Sequence, residues 1–277
     1  MPHLIASDLD GTLLSPAAVL SERTIAAVRA AAEAGIDVVA VTGRSHWSAR
    51  HLLRPAGCIR WIIGSNGATV WDEDARGIVL ERPMDDDLVE TVLAGVERRF
   101  PEVGLAWETS TGVFHTDAWT ANRRATDPGA ALRGYTNPPQ AAFTLDHGPV
   151  LKIMLAHDSL VTNEWLAALQ PHLPRGVASS TSGAMFVEVT HTDANKGHAL
   201  AALCADLSVD AADVVAFGDH SNDLPMLAWA GRAYAMANAD PAALAVADLT
   251  APANDVDGVA QVIEALLIDQ TSPPTQG

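Results

Sequence analysis

Basic residues are scarce in this chain: 17 Lys and Arg stand against 34 Asp and Glu, a formal net charge of -17 over 277 residues. So acidic a surface repels nucleic acid and acidic membranes, because neither polyanion finds a basic footprint. An anionic small ligand is compatible with it only where a pocket supplies local positive charge. Cysteine is nearly missing too. Cys58 and Cys204 lie far apart in no metal-ligand spacing, which reads as two reduced buried thiols and excludes a disulfide framework. No apolar run approaches membrane-spanning length, and the first residues lack a basic start and an apolar signal core. Asn-x-Ser/Thr is absent as well, and the expectation is a cytoplasmic protein with no membrane partner. Neither Gly-x-x-x-x-Gly-Lys-Ser/Thr nor Gly-x-Gly-x-x-Gly occurs, so an ordinary nucleotide-triphosphate or dinucleotide fold has no support. His46 and His51 are five apart, which does not place two zinc ligands on one helix face.

What is present is enough apolar sequence, 48% of residues, to bury a substantial core, with only 18% charged. The N-terminal part alternates strand and helix signals. His3 to Ser7 reads as a buried strand running into Asp8-Leu9-Asp10-Gly11-Thr12. Ser21 can cap a helix through about Ala34, with Ile25, Val28 and Ala32 on one stripe and Gly35 as its stop. Ile36 to Val41 is a β-branched run ending at Thr42-Gly43-Arg44, followed by a helix to about Leu53, and Trp61 to Ile63 repeats the pattern before Gly64-Ser65-Asn66-Gly67. Such alternation implies right-handed crossovers and an open parallel sheet. The middle differs: a helix after Met84, strands near Val103–Trp107 and Gly112–His115, a polar stretch from Ala121 to Pro139 that reads as a long loop, then strand, helix and a hairpin pair ending near Val189. That is an α+β pattern. Alternation resumes after Thr190, with a helix from Lys196, strand Val214–Phe217 ending at Gly218-Asp219, a helix near Asn222, and a last helix Val259–Leu267. The architecture expected is a discontinuous α/β core, residues 1–83 and 188–277, with an α+β domain inserted over 84–187.

Ligands of open α/β sheets bind at the carboxyl ends of strands. Asp8, Asp10, Thr42 and Asp219 all follow strands, and Lys196 opens a helix where its ammonium can join them. That set suits phosphoryl transfer. A carboxylate about 4 Å from a phosphate is opposed by roughly 4 kcal/mol per charge pair at an effective dielectric near 20. A magnesium ion held by Asp8 and Asp219 would cancel that repulsion, Lys196 adds a second positive charge, and Thr42 offers a hydrogen-bond donor. Asp8 and Asp10 project to the same side of an extended chain, so one can attack phosphorus while the other handles the proton. Gly11 lets the backbone turn sharply close to a phosphate.

These residues resemble a known family. Asp8-Leu9-Asp10-Gly11-Thr12-Leu13-Leu14 is similar to the first motif of the haloacid dehalogenase-like superfamily, Val41-Thr42-Gly43-Arg44 to its second, Asn195-Lys196-Gly197 to its third, and Gly218-Asp219-His220-Ser221-Asn222-Asp223 to its fourth. Ser65-Asn66-Gly67-Ala68, Ala235-Met236-Ala237-Asn238-Ala239 and Asn254-Asp255-Val256-Asp257-Gly258-Val259 resemble the Cof-type branch, with Ala237 where that branch usually has Gly. The resemblance implies a Rossmann-like, doubly wound parallel α/β core and an inserted α+β cap of the type IIB (C2B-like) kind, which would close over the strand ends. It implies Asp8 as nucleophile and Asp10 as general acid/base, with Mg2+ held by Asp8, the Asp10 carbonyl and Asp219. Gly11, Thr42, Gly43, Lys196 and Asn222 would surround the substrate phosphate, with Asp223, Arg44 and Asn66 in support.

The function expected is magnesium-dependent hydrolysis of a small phosphorylated metabolite (a sugar, nucleotide or cofactor phosphate) through an aspartyl-phosphate, by a monomer or homodimer. The alternatives are a phosphomannomutase-like phosphoryl transferase and a non-catalytic binding protein on the same scaffold. In the inserted domain, Trp107-Glu108-Thr109, the Arg123-Arg124 loop and Glu188 are candidates for substrate contact, against a plain reading as cap surface.

Overall fold

A computed structural model of the chain describes residues 2–126, 137–160, 162–181 and 185–271. In chain order the strands are β1 (Leu4–Ser7), β2 (Asp37–Val41), β3 (Trp61–Gly64), β4 (Thr69–Asp72), β5 (Gly77–Glu81), β6 (Gly104–Thr109), β7 (Gly112–His115), β8 (Lys152–Ala156), β9 (Val177–Ser180), β10 (Val187–His191), β11 (Val214–Gly218), β12 (Arg232–Met236) and β13 (Leu249–Ala251). The helices are α1 (Glu22–Glu33), α2 (His46–Leu53), α3 (Asp86–Arg99), α4 (Asp117–Thr126), α5 (Thr162–Leu169), α6 (Lys196–Leu207), α7 (Leu224–Trp229), α8 (Pro241–Val246) and α9 (Gly258–Thr271). They form two compact units, Met1–Leu80 with Lys196–Gly277, and Glu81–Asn195.

The first unit is built on an eight-stranded sheet of order β13-β12-β11-β1-β2-β3-β4-β5. Strands β12, β11, β1, β2 and β3 run parallel in register, while β4 turns back antiparallel along β3. That antiparallel edge, with β5 beyond it, extends the parallel sheet that strand–helix alternation predicts. Side chains alternate between two buried layers. Ile5, Val38 and Ala40 face α1, α2 and α9, whereas Leu4, Ala6, Val39 and Val41 face α6, α7 and α8. Burial on both faces is why these strands are continuously apolar. Ser21 caps α1, its hydroxyl accepting from Thr24 N at 3.0 Å, and Gly35 (φ +82°) ends it. The buried stripe of α1 is Thr24, Ala27, Val28 and Ala31, rotated from the Ile25–Val28–Ala32 line expected, so the helix packs through small side chains. The chain order reverses on either side of β1, which makes the carboxyl ends of β1, β2 and β11 the switch point of the sheet.

The second unit has a five-stranded sheet of order β7-β6-β8-β10-β9, antiparallel at each pair. Val89, Val92 and Val96 of α3 and Trp165 and Leu169 of α5 cover one face, burying Trp107, Ile153, Leu155, Val187 and Val189. On the other face Trp119 of α4 packs on Ala106, Met154 and Ala156. This helix corrects the reading of Ala121 to Pro139 as a loop: residues 121–126 are helical, and 127–136 lie outside the described residues. Its polar composition hides a sparse inward stripe. Trp119 is fully buried, and Asn122 Nδ2 donates to Glu102 O (2.9 Å) and Ala156 O (3.0 Å). Gly104 permits the close approach, since a Cβ there would lie 2.4 Å from Trp119 Cα.

Candidate active site

The chain leaves β1 in a wide turn, with Leu13 N donating to Asp8 O at 3.2 Å and Leu14 N to Leu9 O at 2.9 Å. The turn depends on Gly11, whose φ of +81° is unfavourable for residues bearing a Cβ. A Cβ at Gly11 would also lie 2.1 Å from Asp219 Oδ2, so the glycine makes room for a carboxylate from the end of β11. Thr12 Oγ1 donates to Asp219 Oδ1 at 2.9 Å and fixes that carboxylate beside the turn.

Lys196 stands at the start of α6 with none of its surface exposed. Its Nζ donates to Asp8 Oδ1 (2.6 Å) and Asp223 Oδ1 (2.5 Å). The other Asp223 oxygen accepts from the backbone N–H groups of Asp219 and His220, both at 2.9 Å. Asp223 therefore bonds the ammonium through one oxygen and shapes the loop after β11 through the other. Gly218 is required beside it, because a Cβ there would lie 2.6 Å from the Asp223 Cβ.

The remaining candidates divide into two groups. Thr42 is buried at the end of β2, its Oγ1 accepting from Arg44 N at 3.1 Å across Gly43. Asn66 sits in a left-handed turn, with φ of +53° at Ser65 and +58° at Asn66, and its N–H donates to Thr42 O at 3.0 Å. Asn222 Nδ2 donates to Asn66 Oδ1 at 3.1 Å, which joins the turns after β3 and β11. Asn222 Oδ1 is buried without a hydrogen-bond partner among the described residues. Asp10 pairs with Arg44, whereas Lys196 pairs with Asp8 and Asp223. Both Asp10 oxygens accept from Arg44, from Nε and Nη2 at 2.6 Å each.

Burial pushes the Asp8 carboxyl well above the usual range, against the opposing pull of Lys196. Burial and the nearby Asp223 charge push Asp219 up to about 6. Lys196 would be depressed by burial, but Asp223 and Asp8 overcome that and hold it above its ordinary value. Ligand atoms of Asp8, Asp219 and Asp223 lie within 4.8 Å of one another, and one ammonium cannot balance three carboxylates. One oxygen of Asp8 and one of Asp219 accept no hydrogen bond among the described residues. Hard oxygen donors, close together and short of positive charge, fit a divalent cation such as Mg2+.

Two residues quoted above only as part of the Cof-type motifs, Asn238 and Asn254, have a supporting role that the sequence did not assign. Asn238 Nδ2 donates to Gly11 O (2.8 Å), and Asn254 donates its N–H to Asn238 Oδ1 (3.0 Å) and its Nδ2 to Leu14 O (2.8 Å). These two asparagines clamp the turn that carries Asp8 and Asp10. Their signal in the sequence was the resemblance of the segments around Asn238 and Asn254 to the Cof-type branch. Ala237 keeps an ordinary φ, so its backbone needs no glycine there. His220 Nδ1 donates to Asp240 Oδ2 at 2.8 Å, with Nε2 3.8 Å from Asp219 Oδ2.

In the second unit, Glu108 and Glu188 are buried beside Lys152, whose Nζ lies 3.4 Å from the first and 2.8 Å from the second. Trp107 points into the opposite, apolar layer. Arg123 belongs to α4 rather than to a loop, lying 5.1 Å from the Phe186 ring and 5.9 Å from that of Trp119, and the Arg124 side chain lies outside the described residues. No helix among the described residues is long and apolar enough to cross a membrane.

The family model of haloacid dehalogenase-like hydrolases matches residues 5–263. The chain is 30% identical over 276 residues to the pyridoxal phosphate phosphatase YbhA of Escherichia coli (strain K12), covering 96% of this chain and 99% of that one. The solved structure of a haloacid dehalogenase-like hydrolase from B. subtilis superposes with a TM-score of 0.79 at 27% identity, over 95% of this chain and 99% of the other. The subclass IIB sugar phosphatase BT4131 shares the fold, with a TM-score of 0.82 at 20% identity over 96% of this chain and 99% of that one.

Proposed function

As the chain belongs to the haloacid dehalogenase-like hydrolases and is a phosphatase, we propose that it hydrolyses a small phosphorylated metabolite through an aspartyl-phosphate on Asp8, with Mg2+ held by Asp8, the Asp10 carbonyl and Asp219. The observation that carries this reading is the convergence of Asp8, Lys196 and Asp219 at the switch point of the sheet, with Nζ 2.6 Å from Asp8 Oδ1.

The bound ion would supply positive charge where the phosphoryl oxygens gather, offsetting their repulsion of Asp8. Lys196 anchors one Asp8 oxygen, leaving the other free to attack phosphorus. As that P–O bond forms, the bond to the leaving oxygen breaks, and Asp10 delivers a proton to it. Water then attacks the aspartyl-phosphate, gives its proton to Asp10, and inorganic phosphate departs with Asp8 restored. Splitting the reaction this way replaces one difficult step with two easier ones. Thr42 and the second N–H of the Asn222 amide, both on buried residues, would donate to the transferring oxygens. Support for a small metabolite as substrate comes from the relatedness to a pyridoxal phosphate phosphatase.

The test is phosphate release from a panel of phosphorylated metabolites with added Mg2+. Asp8→Asn is expected to abolish release, and Asp10→Asn to reduce it by about 10²- to 10⁴-fold on alkyl esters. Radiolabelled phosphate bound covalently to the wild type and absent from Asp8→Asn would mark the nucleophile. Undiminished turnover in Asp8→Asn sinks the mechanism. Strict dependence on an accepting sugar would instead make the enzyme a transferase.

A further inference from the structure

The proton carrier of that mechanism is occupied. Arg44 grips Asp10 in a two-pronged pair, Nε to Oδ2 and Nη2 to Oδ1, both at 2.6 Å. Every strong acceptor position facing the guanidinium is used, and a guanidinium has no lone pair with which to receive a proton from Asp10. While this pair stands, the guanidinium takes one lone pair of each Asp10 oxygen and holds the carboxylate in one orientation. Arg44 is itself next to the phosphate-binding turn, its N–H donating to Thr42 Oγ1 at 3.1 Å.

The pair is also the exchangeable one. Its side chains are 33% and 39% exposed, whereas the Lys196–Asp223 pair is fully enclosed at 0% on both sides. Two-pronged geometry makes it a firm contact, but part exposure screens it, so a more highly charged anion can compete for the guanidinium. A phosphate ester offers the same fork geometry with up to twice the charge, and arginine prefers such planar, two-pronged anions.

Building on the hydrolytic reading above, we propose that Arg44 is a positioning residue that changes partners. Without substrate it holds Asp10 aside; an arriving phosphoryl group draws the guanidinium onto its own oxygens and thereby releases Asp10 for proton transfer. No atom is gained or lost in the exchange: two N–H···O bonds to the carboxylate become two to the phosphoryl oxygens. The device arms the acid only when there is a leaving group to protonate.

Inorganic phosphate is the probe, titrated calorimetrically in Mg2+ buffer into wild type, Asp10→Asn, Arg44→Gln and the double variant. Asp10→Asn breaks the fork and frees Arg44, so phosphate affinity should rise about tenfold, and by less than twofold when position 44 is Gln. Equal tightening in both backgrounds would mean simple removal of a negative charge, and would overturn the exchange. No tightening in either, or no phosphate binding by Asp10→Asn, overturns it equally. Arg44→Lys, which keeps charge but loses the fork, replaces Arg44→Gln if the latter melts early, and the same coupling is required of it. Asp8 is intact throughout and no turnover is read, so this outcome is separate from that of the Asp8→Asn experiment.

Discussion

At the scale of single residues, two positions link local geometry to measurable behaviour. Gly11 combines a left-handed backbone with a van der Waals space already filled by Asp219. Gly11→Ala is expected to cost about 1–2 kcal/mol in backbone conformation alone. It should also displace the Asp219 carboxylate, weakening Mg2+ binding at least about tenfold by calorimetric titration, which costs about 1.4 kcal/mol. His46 gives a pH dependence. Its ring is stacked on Trp71 at 4.8 Å, edge-on to Trp47, and its Nδ1 has no hydrogen-bond partner among the described residues. Burial first, then the Arg50 charge, pushes the imidazole from 6.5 down to about 4. Between those values the unfolded chain takes up a proton that the folded ring refuses. Stability from this group is complete above pH 6.5 and is lost as pH falls toward 4, by up to about 3 kcal/mol. Chemical denaturation at pH 7 and pH 4.5 should show that slope in the wild type and a shallower one in His46→Phe; equal slopes would remove the assignment.

At the scale of elements, legibility depended on whether the apolar pattern was dense. Strands β1, β2 and β11 were readable because both faces are buried and their positions are apolar except Ser7 and Asp37 at strand ends. Helix α4 was not. Its inward face is one tryptophan and one asparagine among charged residues, and the asparagine is buried because it satisfies two backbone carbonyls. Trp119→Ala should therefore destabilise by about 3–5 kcal/mol, as expected of a fully buried indole and not of a loop residue. Urea unfolding measures it. The turn of β1 shows the same divide. Its Asp-x-Asp-Gly-Thr pattern was plain, while the clamps from Asn238 and Asn254 arrive from more than 200 residues away.

At the scale of the whole molecule, an acidic chain gathers three carboxylates around one lysine in its interior. Asp8 and Asp219 are both pushed upward by that burial, so the folded chain is short of positive charge there. Binding of Mg2+ only to the folded state should stabilise it, by about 2.7 kcal/mol at a hundred times the dissociation constant. Calorimetry with and without the metal checks this. Asp219→Asn should lose most of the increment, and an equal Mg2+ shift in that variant would place the ion elsewhere.

By itself the sequence determined the alternation of elements, the family, which carboxylates and threonine follow strands and which lysine opens a helix, because those follow from local pattern and short motifs. Only the tertiary structure decided the partners: that Lys196 joins Asp8 to Asp223, that Asp10 is taken by Arg44, and that Lys152 is buried between Glu108 and Glu188. The reason is physical. A hydrogen bond between charges depends on distances of a few ångström between segments up to 200 residues apart, and no local periodicity encodes such distances.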